Sequence, residues 1–260
     1  MYSTGASKRE LAFTNGLRLG SKGLAVKRLQ EWLNLAGNGI TIDGDFGPAT
    51  ASALNKYQTA KGITPSKTPT LSAPAWSSLT QPMSSALDDS AAVPTVVSGA
   101  CLKVARRHLA VHPLEVGGDN CGPWVRMYTG GSDGTKWRWC AGFVSFVMKQ
   151  ACSKAGVASP IKGSLSCDTL AFQSQVAGRF VSGKSLVADP SLIAALGPCA
   201  IFLVYRSPGD WSHTGFAFNF TDSTFETIEG NTNDEGSANG YEVCSRIRKL
   251  DGDKDFIRLN

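Results

Sequence analysis

Trp137-Arg138-Trp139-Cys140-Ala141-Gly142-Phe143-Val144 marks the point where an irregular stretch of Gly, Asp and Lys becomes an apolar helical run. Phe143, Val144, Val147, Met148 and Ala151 recur at three- and four-residue steps, the signature of one helix face. The spacing therefore puts Cys140 at or near a helix N-terminus. Unpaired backbone N–H groups and the helix dipole there favour an anionic sulfur, and the thiolate is the nucleophilic form of cysteine. Two tryptophans precede Cys140, and small residues follow it where a bulky one would close off the sulfur.

Downstream the texture changes to strand. Ala200–Tyr205 is a buried apolar run, and Phe216, Phe218 and Phe220 alternate along Thr214–Phe220. Phe225–Glu229, Tyr241–Arg248 and Phe256–Leu259 bring the expected strands to at least five. Upstream, a helix is expected over Ser98–Val111 and a short one around Val125 and Tyr128. Helices followed by consecutive strands predict an α+β domain with an antiparallel sheet packed on the helices.

Ser212-His213-Thr214-Gly215 opens one of these strands, and Ile228-Glu229-Gly230-Asn231 closes the next. Fifteen residues separate His213 from Glu229, enough for a strand, a turn and the return strand. Such a hairpin sets the Glu229–Asn231 end beside His213. Imidazole titrates near neutral pH, as the general base for a thiol requires, and a carboxylate or amide beside it fixes its tautomer. A cysteine, a histidine and a polar third group are the parts of a thiol hydrolase. Glu229 and Asn231 are both open for the third role. His108 and His112 have a helical i, i+4 spacing but no HExxH pattern, and are expected at the surface.

The N-terminal third reads as a small helical module. Residues 1–15 are polar and are expected to be a flexible tail. Leu24, Val26, Leu29, Trp32 and Leu33 predict a helix from Gly23 to Leu35, with Ser21 as its cap. Asp43-Gly44-Asp45-Phe46-Gly47-Pro48 is a tight turn, and Pro48 suits the first residue of a second helix running to Lys61. A third is expected over Pro74–Leu79. Residues 81–97 are small, polar and bounded by proline, and read as an interdomain linker.

Composition narrows the classes further. A net charge of +5 favours anionic surfaces, but the charges are dispersed and form no basic patch with interleaved aromatics, which argues against nucleic acid. No apolar run reaches the length of a transmembrane helix, so membrane insertion is not expected. Residues 1–20 lack the continuous apolar stretch of a secretory signal. Seven cysteines cannot all pair internally, no CxxC pair occurs, and mostly free thiols with neither metal nor cofactor are expected.

Leu17-Arg-Leu-Gly-Ser-Lys-Gly23, Val26-Lys-Arg-Leu-Gln30 and Asp43-Gly-Asp-Phe-Gly-Pro-Ala-Thr50 resemble the type 1 peptidoglycan-binding domain family over about residues 16–80. The resemblance implies that Asp43 and Phe46 belong to a wall-binding surface. Glu115-Val-Gly-Gly-Asp-Asn-x-Gly-Pro, Trp139-Cys-Ala-Gly-Phe-Val144, His213-Thr-Gly-Phe and Ile228-Glu-Gly-Asn231 resemble the CHAP family of cysteine, histidine-dependent amidohydrolases and peptidases over residues 98–260. That family is papain-like in fold. The resemblance puts its nucleophile on Cys140, its general base on His213 and its orienting groups on Glu229 and Asn231. The family's calcium loop does not carry over, because Asp133 is present but no acid follows Cys140.

Glu115, Asp119 and Asn120 are candidates to line a substrate cleft, with loop capping as the alternative. Trp137, Trp139 and Trp211 are candidates for a flat rim against sugar or stem peptide, with ordinary packing as the alternative. A wall-binding module joined to a CHAP domain without a leader implies a monomeric phage endolysin that hydrolyses an amide bond of peptidoglycan. It would stay in the host cytoplasm until a separate pore-forming protein releases it. A bacterial autolysin, a toxin of NlpC type and a noncatalytic wall-binding protein are the alternatives.

Overall fold

The computed structural model describes residues 2–88, 90–233 and 239–260. Eight helices come first: α1 (Gly5–Leu11), α2 (Leu24–Leu35), α3 (Pro48–Ala60), α4 (Ala73–Ala86), α5 (Val97–Ala110), α6 (Pro123–Thr129), α7 (Cys140–Ala155) and α8 (Cys167–Val176). A short strand β1 (Phe180–Val181), α9 (Gly183–Ala188) and a 3-10 segment (Pro190–Leu196) follow. The chain then runs through β2 (Ala200–Ser207), β3 (Asp210–Phe218), β4 (Thr224–Thr232), β5 (Glu242–Lys249) and β6 (Lys254–Arg258). The fold is α+β, and the six strands form one antiparallel sheet in the order β1-β6-β2-β3-β4-β5.

The chain divides into two compact units. One comprises residues 3–87 and 114–135, and the other Tyr2, 88–113 and 136–260. The first unit is therefore discontinuous in sequence, and its extent differs from the expected one at three places.

The expected flexible tail contains α1. Thr4 caps that helix by a reciprocal pair of bonds, Ser7 N–H to Thr4 Oγ1 at 3.1 Å and Thr4 N–H to Ser7 Oγ at 2.8 Å. The expected linker begins inside α4, which continues to Ala86 because Met83, Ala86 and Leu87 are buried. Residues 114–135, expected with the C-terminal domain, pack with the N-terminal helices. Ser21 is not the cap of α2 either. Gly23 holds the N-cap position instead, with φ of 103°.

One buried cation accounts for the placement of both α1 and α6. Arg126, on α6, donates to Glu10 of α1 (Nε to Oε1 2.9 Å, Nη2 to Oε2 2.8 Å). It also donates to Glu31 of α2 (Nη1 to Oε1 3.1 Å, Nη2 to Oε2 2.6 Å) and to Asp133 (Nη1 to Oδ2 2.7 Å). These bonds use all the N–H groups of a guanidinium. Beside them Trp124 meets Trp32 edge-on at 6.3 Å.

In the second unit α5 packs on α7, and α7 packs on β3 and β4. Phe202, Ala217, Phe225 and Phe256 of the sheet form a core with Leu186, Leu196 and Leu250. The five longer strands fall where alternation and apolar runs predict them. β1, α8, α9 and the 3-10 segment occupy the polar stretch between, where no sustained period announces them.

Arg126→Met should cost about 3–5 kcal/mol of stability, because it leaves Glu31 buried without its cation and Glu10 with Arg28 alone, at 3.6 Å. Urea unfolding of the full chain measures this. A loss below about 1 kcal/mol, the level of an exposed ion pair, would show that the network does not hold this unit together.

Candidate functional site

Cys140 is the first residue of α7, and Trp139 before it supplies no side-chain cap. The thiol therefore lies where helical N–H groups have no intrahelical acceptor. Its sulfur is 3.9 Å from that of Cys167, the first residue of α8. Ser166 caps α8 by accepting from Thr169 N–H at 3.2 Å, which fixes the start of that helix.

His213 lies on β3 and Glu229 on β4. The β3–β4 ladder pairs Gly215 with Glu229, so the carboxylate on β4 and the imidazole two residues from Gly215 extend to the same face. His213 Nε2 is 2.8 Å from Glu229 Oε2. Three further bonds complete the carboxylate. Arg248 Nε donates to Oε1 at 2.6 Å, Arg248 Nη2 to Oε2 at 2.6 Å, and Thr227 Oγ1 to Oε1 at 2.5 Å. The Arg248 guanidinium lies over the Phe202 ring at 5.1 Å.

Two glycines permit this packing. A Cβ on Gly215 would lie 2.8 Å from Glu229 Cγ and 2.8 Å from Phe202 Cε1. A Cβ on Gly230 would lie 2.7 Å from the Trp139 ring and 2.8 Å from Phe143 Cβ. The first glycine lets the carboxylate pass across β3 to His213. The second lets the start of α7 close on β4.

The three groups shift one another's titration. The Cys140 thiol is pushed well down, first by the Cys167 S–H and then by His213, against burial. Burial alone would lower the imidazole, but its interactions with Cys140 and Glu229 raise His213 to about 9. Burial alone would raise Glu229, but Arg248 and His213 lower it to about 2. Each shift favours the charged form of its group, the thiolate of Cys140, the imidazolium of His213 and the carboxylate of Glu229. The raised histidine contributes stability that is complete below its ordinary value of 6.5 and lost as pH rises through about 9. The depressed glutamate contributes stability that is present above its ordinary value of 4.5 and lost as pH falls through about 2.

Asn231, the other candidate for the third role, is fully buried in a left-handed conformation with φ of 58°. It sits where the β4–β5 register shifts between Glu229 and Thr232. Its Nδ2 donates to Asn239 Oδ1 at 3.5 Å, and its carbonyl accepts from Gly240 N–H at 3.0 Å. Glu229, not Asn231, is hydrogen-bonded to His213 in this structure.

The three tryptophans expected at a rim differ in their surroundings. Trp139 has no exposed surface and is held under Gly230, so it cannot meet a substrate. Trp211 is also buried. Its backbone N–H donates to Asp168 at 2.7 Å, and its ring N–H donates to Asp255 at 2.8 Å. Trp137 alone of the three is exposed.

Glu115, Asp119 and Asn120 belong to the other compact unit. There Asn120 adopts φ of 52°, and its N–H donates to Glu115 Oε2 at 2.6 Å, a loop-capping arrangement. His108, expected at the surface, is fully buried and bonded to Gln150 at 2.9 Å, because α5 turns it toward α7. His112 is largely exposed and lies 2.5 Å from Glu242. All seven cysteines are free thiols.

In the N-terminal unit, Gln30 ties helix α2 to the Asp-Gly turn. Its Nε2 donates to Asp43 Oδ1 at 2.8 Å, to Asp45 O at 3.0 Å and to Thr50 Oγ1 at 3.0 Å, and its Oε1 accepts from Gly44 N–H at 2.8 Å. Gly44 has φ of 75°, and a Cβ there would lie 3.2 Å from the Gly23 carbonyl oxygen. Phe46 is fully buried beneath this turn.

Residues 22–70 match the family model of the peptidoglycan binding domain. This segment is a peptidoglycan-binding domain. The Gln30, Asp43, Gly44 and Thr50 knot lies wholly within it. Phe46, expected on the binding surface, is instead part of the domain's core, and Asp43, though exposed, spends its carboxylate on the turn through Gln30 and the Asp45 N–H. No curated protein and no solved structure matches the chain. Among the described residues, no three His, Cys, Asp or Glu side chains are grouped to hold a metal ion, and no helix is long and apolar enough to cross a membrane.

Gly215→Ala should cost about 1–3 kcal/mol through overpacking, because backbone and two side chains confine the new methyl. It should also part Glu229 from His213. NMR titration of the His213 ring should then show its midpoint falling from about 9 toward the ordinary imidazole value. An unchanged midpoint and stability would mean that Glu229 reaches His213 without needing the glycine.

Proposed function

We propose that the unit carrying Cys140 is a cysteine hydrolase of CHAP type, papain-like in fold, that cleaves an amide bond of bacterial peptidoglycan. The observation that carries this reading is the His213–Glu229 contact of 2.8 Å within a site where His213 and the Cys140 thiol stabilise each other's charged forms. In this reading Cys140 is the nucleophile, His213 the general acid and base, and Glu229 the orienting residue. Arg248 and Thr227 hold Glu229.

The thiolate attacks the amide carbonyl carbon, and the backbone N–H at the start of α7 stabilises the resulting oxyanion. The imidazolium gives its proton to the leaving amine as the C–N bond breaks, which leaves a thioester on Cys140. His213 then takes a proton from water, the hydroxide attacks the thioester, and the acid departs with the thiolate restored. No step requires a metal.

The peptidoglycan-binding domain supports binding of the chain to the wall. Holding the hydrolase on a polymer of repeated sites raises its effective concentration there. This combination fits a lytic enzyme of phage type, monomeric, made in the host cytoplasm and released to the wall by a separate pore-forming protein.

Cys140→Ser should lower wall lysis by on the order of 10³-fold or more while leaving folding and wall binding intact, since an imidazole does not activate a serine hydroxyl built into a thiol site. Lysis within ~10-fold of the parent would overturn the reading of Cys140 as nucleophile. Glu229→Gln should lose more activity than Asn231→Ala, and the reverse order would give Asn231 the orienting role. Mass spectrometry of digested peptidoglycan identifies the bond. New N-termini on stem peptides mean an endopeptidase, and free lactyl groups mean an N-acetylmuramoyl-L-alanine amidase.

The pH dependence follows from the same pair. Activity should hold across neutral pH and fall on the alkaline side near 9, as His213 loses the proton it gives to the leaving group. An alkaline limb absent from initial rates on soluble muropeptides would show that His213 is not the acid.

A further inference from the structure

Cys167 neither attacks the substrate nor transfers a proton in the hydrolytic steps above, yet its sulfur is 3.9 Å from that of Cys140. Each cysteine is the first residue of its own helix, α7 for Cys140 and α8 for Cys167. Both keep a little surface, 5% for Cys140 and 8% for Cys167, whereas Cys101 and Cys199 have none. Burial raises the thiols of Cys101 and Cys199, which keeps them protonated and unreactive. Cys140 thus has a second thiol directly beside it, at the start of another helix.

We propose that Cys140 and Cys167 are a reversible peroxide-sensitive thiol pair, in which Cys167 resolves the oxidised Cys140 to a disulfide. The Cys140 thiolate attacks one oxygen of hydrogen peroxide. The O–O bond breaks, hydroxide leaves, and Cys140 becomes a sulfenic acid. The Cys167 sulfur attacks the sulfenic sulfur, the S–O bond breaks, and the S–S bond forms. The Cys167 proton leaves with the departing hydroxide as water. Two electrons pass from the two sulfurs to the peroxide, and a dithiol returns them.

The sulfurs must close from 3.9 Å to the ~2 Å of a disulfide. Cys167 thereby diverts Cys140 from the irreversible sulfinic and sulfonic states. The pairing chemistry rests on the geometry of the two thiols. Its consequence for activity, a latent enzyme reactivated by reduction, rests on the hydrolase reading above.

The full chain, fully reduced, is exposed to hydrogen peroxide, alkylated with iodoacetamide, digested and analysed by mass spectrometry. The expected result is a cross-linked peptide pair containing Cys140 and Cys167, removed by dithiothreitol. Wall lysis should be lost with the cross-link and regained on reduction. In Cys167→Ser no such pair should form, and Cys140 should pass to sulfinic and sulfonic acid with lysis not regained. Cys140 running to sulfinic acid in the parent protein, or a cross-link joining other cysteines, would overturn the proposal. A reduced protein that forms the pair but never lyses wall would uphold the pair and overturn the hydrolase. A lytic protein that never forms the pair would do the opposite.

Discussion

The Glu229 carboxylate has no contact with solvent, and the C-terminal unit is arranged around that fact. Removing a carboxylate from water carries a penalty of several kcal/mol unless its lone pairs are satisfied and a cation is near. Four donors from three different strands meet the requirement: His213 on β3, Thr227 on β4 itself, and Arg248 twice from β5. A slip of one residue in either ladder would turn a donor to the other face. The same contacts that orient the histidine thus hold the registers of β3, β4 and β5. The glycines at 215 and 230 are the steric conditions for them.

The N-terminal unit uses the opposite charge in the same way. Arg126 is the buried ion, and Glu10, Glu31 and Asp133 surround it. Because Glu10 lies far before Arg126 in sequence, the network draws a later segment back among the first helices. Cutting the chain at residue 90 would strand Arg126 and Trp124 without Glu10, Glu31 and Trp32. The peptidoglycan-binding domain at residues 22–70 is thus part of a larger folded unit rather than the whole of it.

Most of the secondary structure was legible because its signals are local. The 3.6-residue period after Cys140 and the alternation of Phe216 and Phe218 each report on one element. The starting point of α7 and the proximity of His213 to Glu229 could be inferred from spacing. Burial of the tryptophans could not. Trp139 reads as a rim residue until Gly230 is seen to receive its ring, a contact made across ninety residues of chain. Arg248 and Cys167 carried no local signal at all. An arginine in a strand and a cysteine opening a polar helix each acquire meaning only from what the fold puts beside them. Asn231 and Glu229 were indistinguishable because they lie two apart on one strand, and the local break of register at Asn231 separates them.

A carboxylate rather than an amide beside the imidazole has a chemical cost that Arg248 offsets. Cys140 and a full negative charge on Glu229 together hold the proton of His213 firmly, and the ring is raised to about 9. A proton held too firmly is a poor gift to a leaving amine. Arg248 forms two short bonds to the same carboxylate and draws off part of its charge, so that Glu229 fixes the tautomer and direction of the ring without acting as an isolated anion. The Cys167 thiol, 3.9 Å from the Cys140 sulfur, likewise favours the charged form of that sulfur. Thiolate and imidazolium are thus each moderated by a neighbour outside the pair. For the proposed hydrolysis, this leaves a nucleophile biased toward its thiolate form and an acid that is still able to part with its proton.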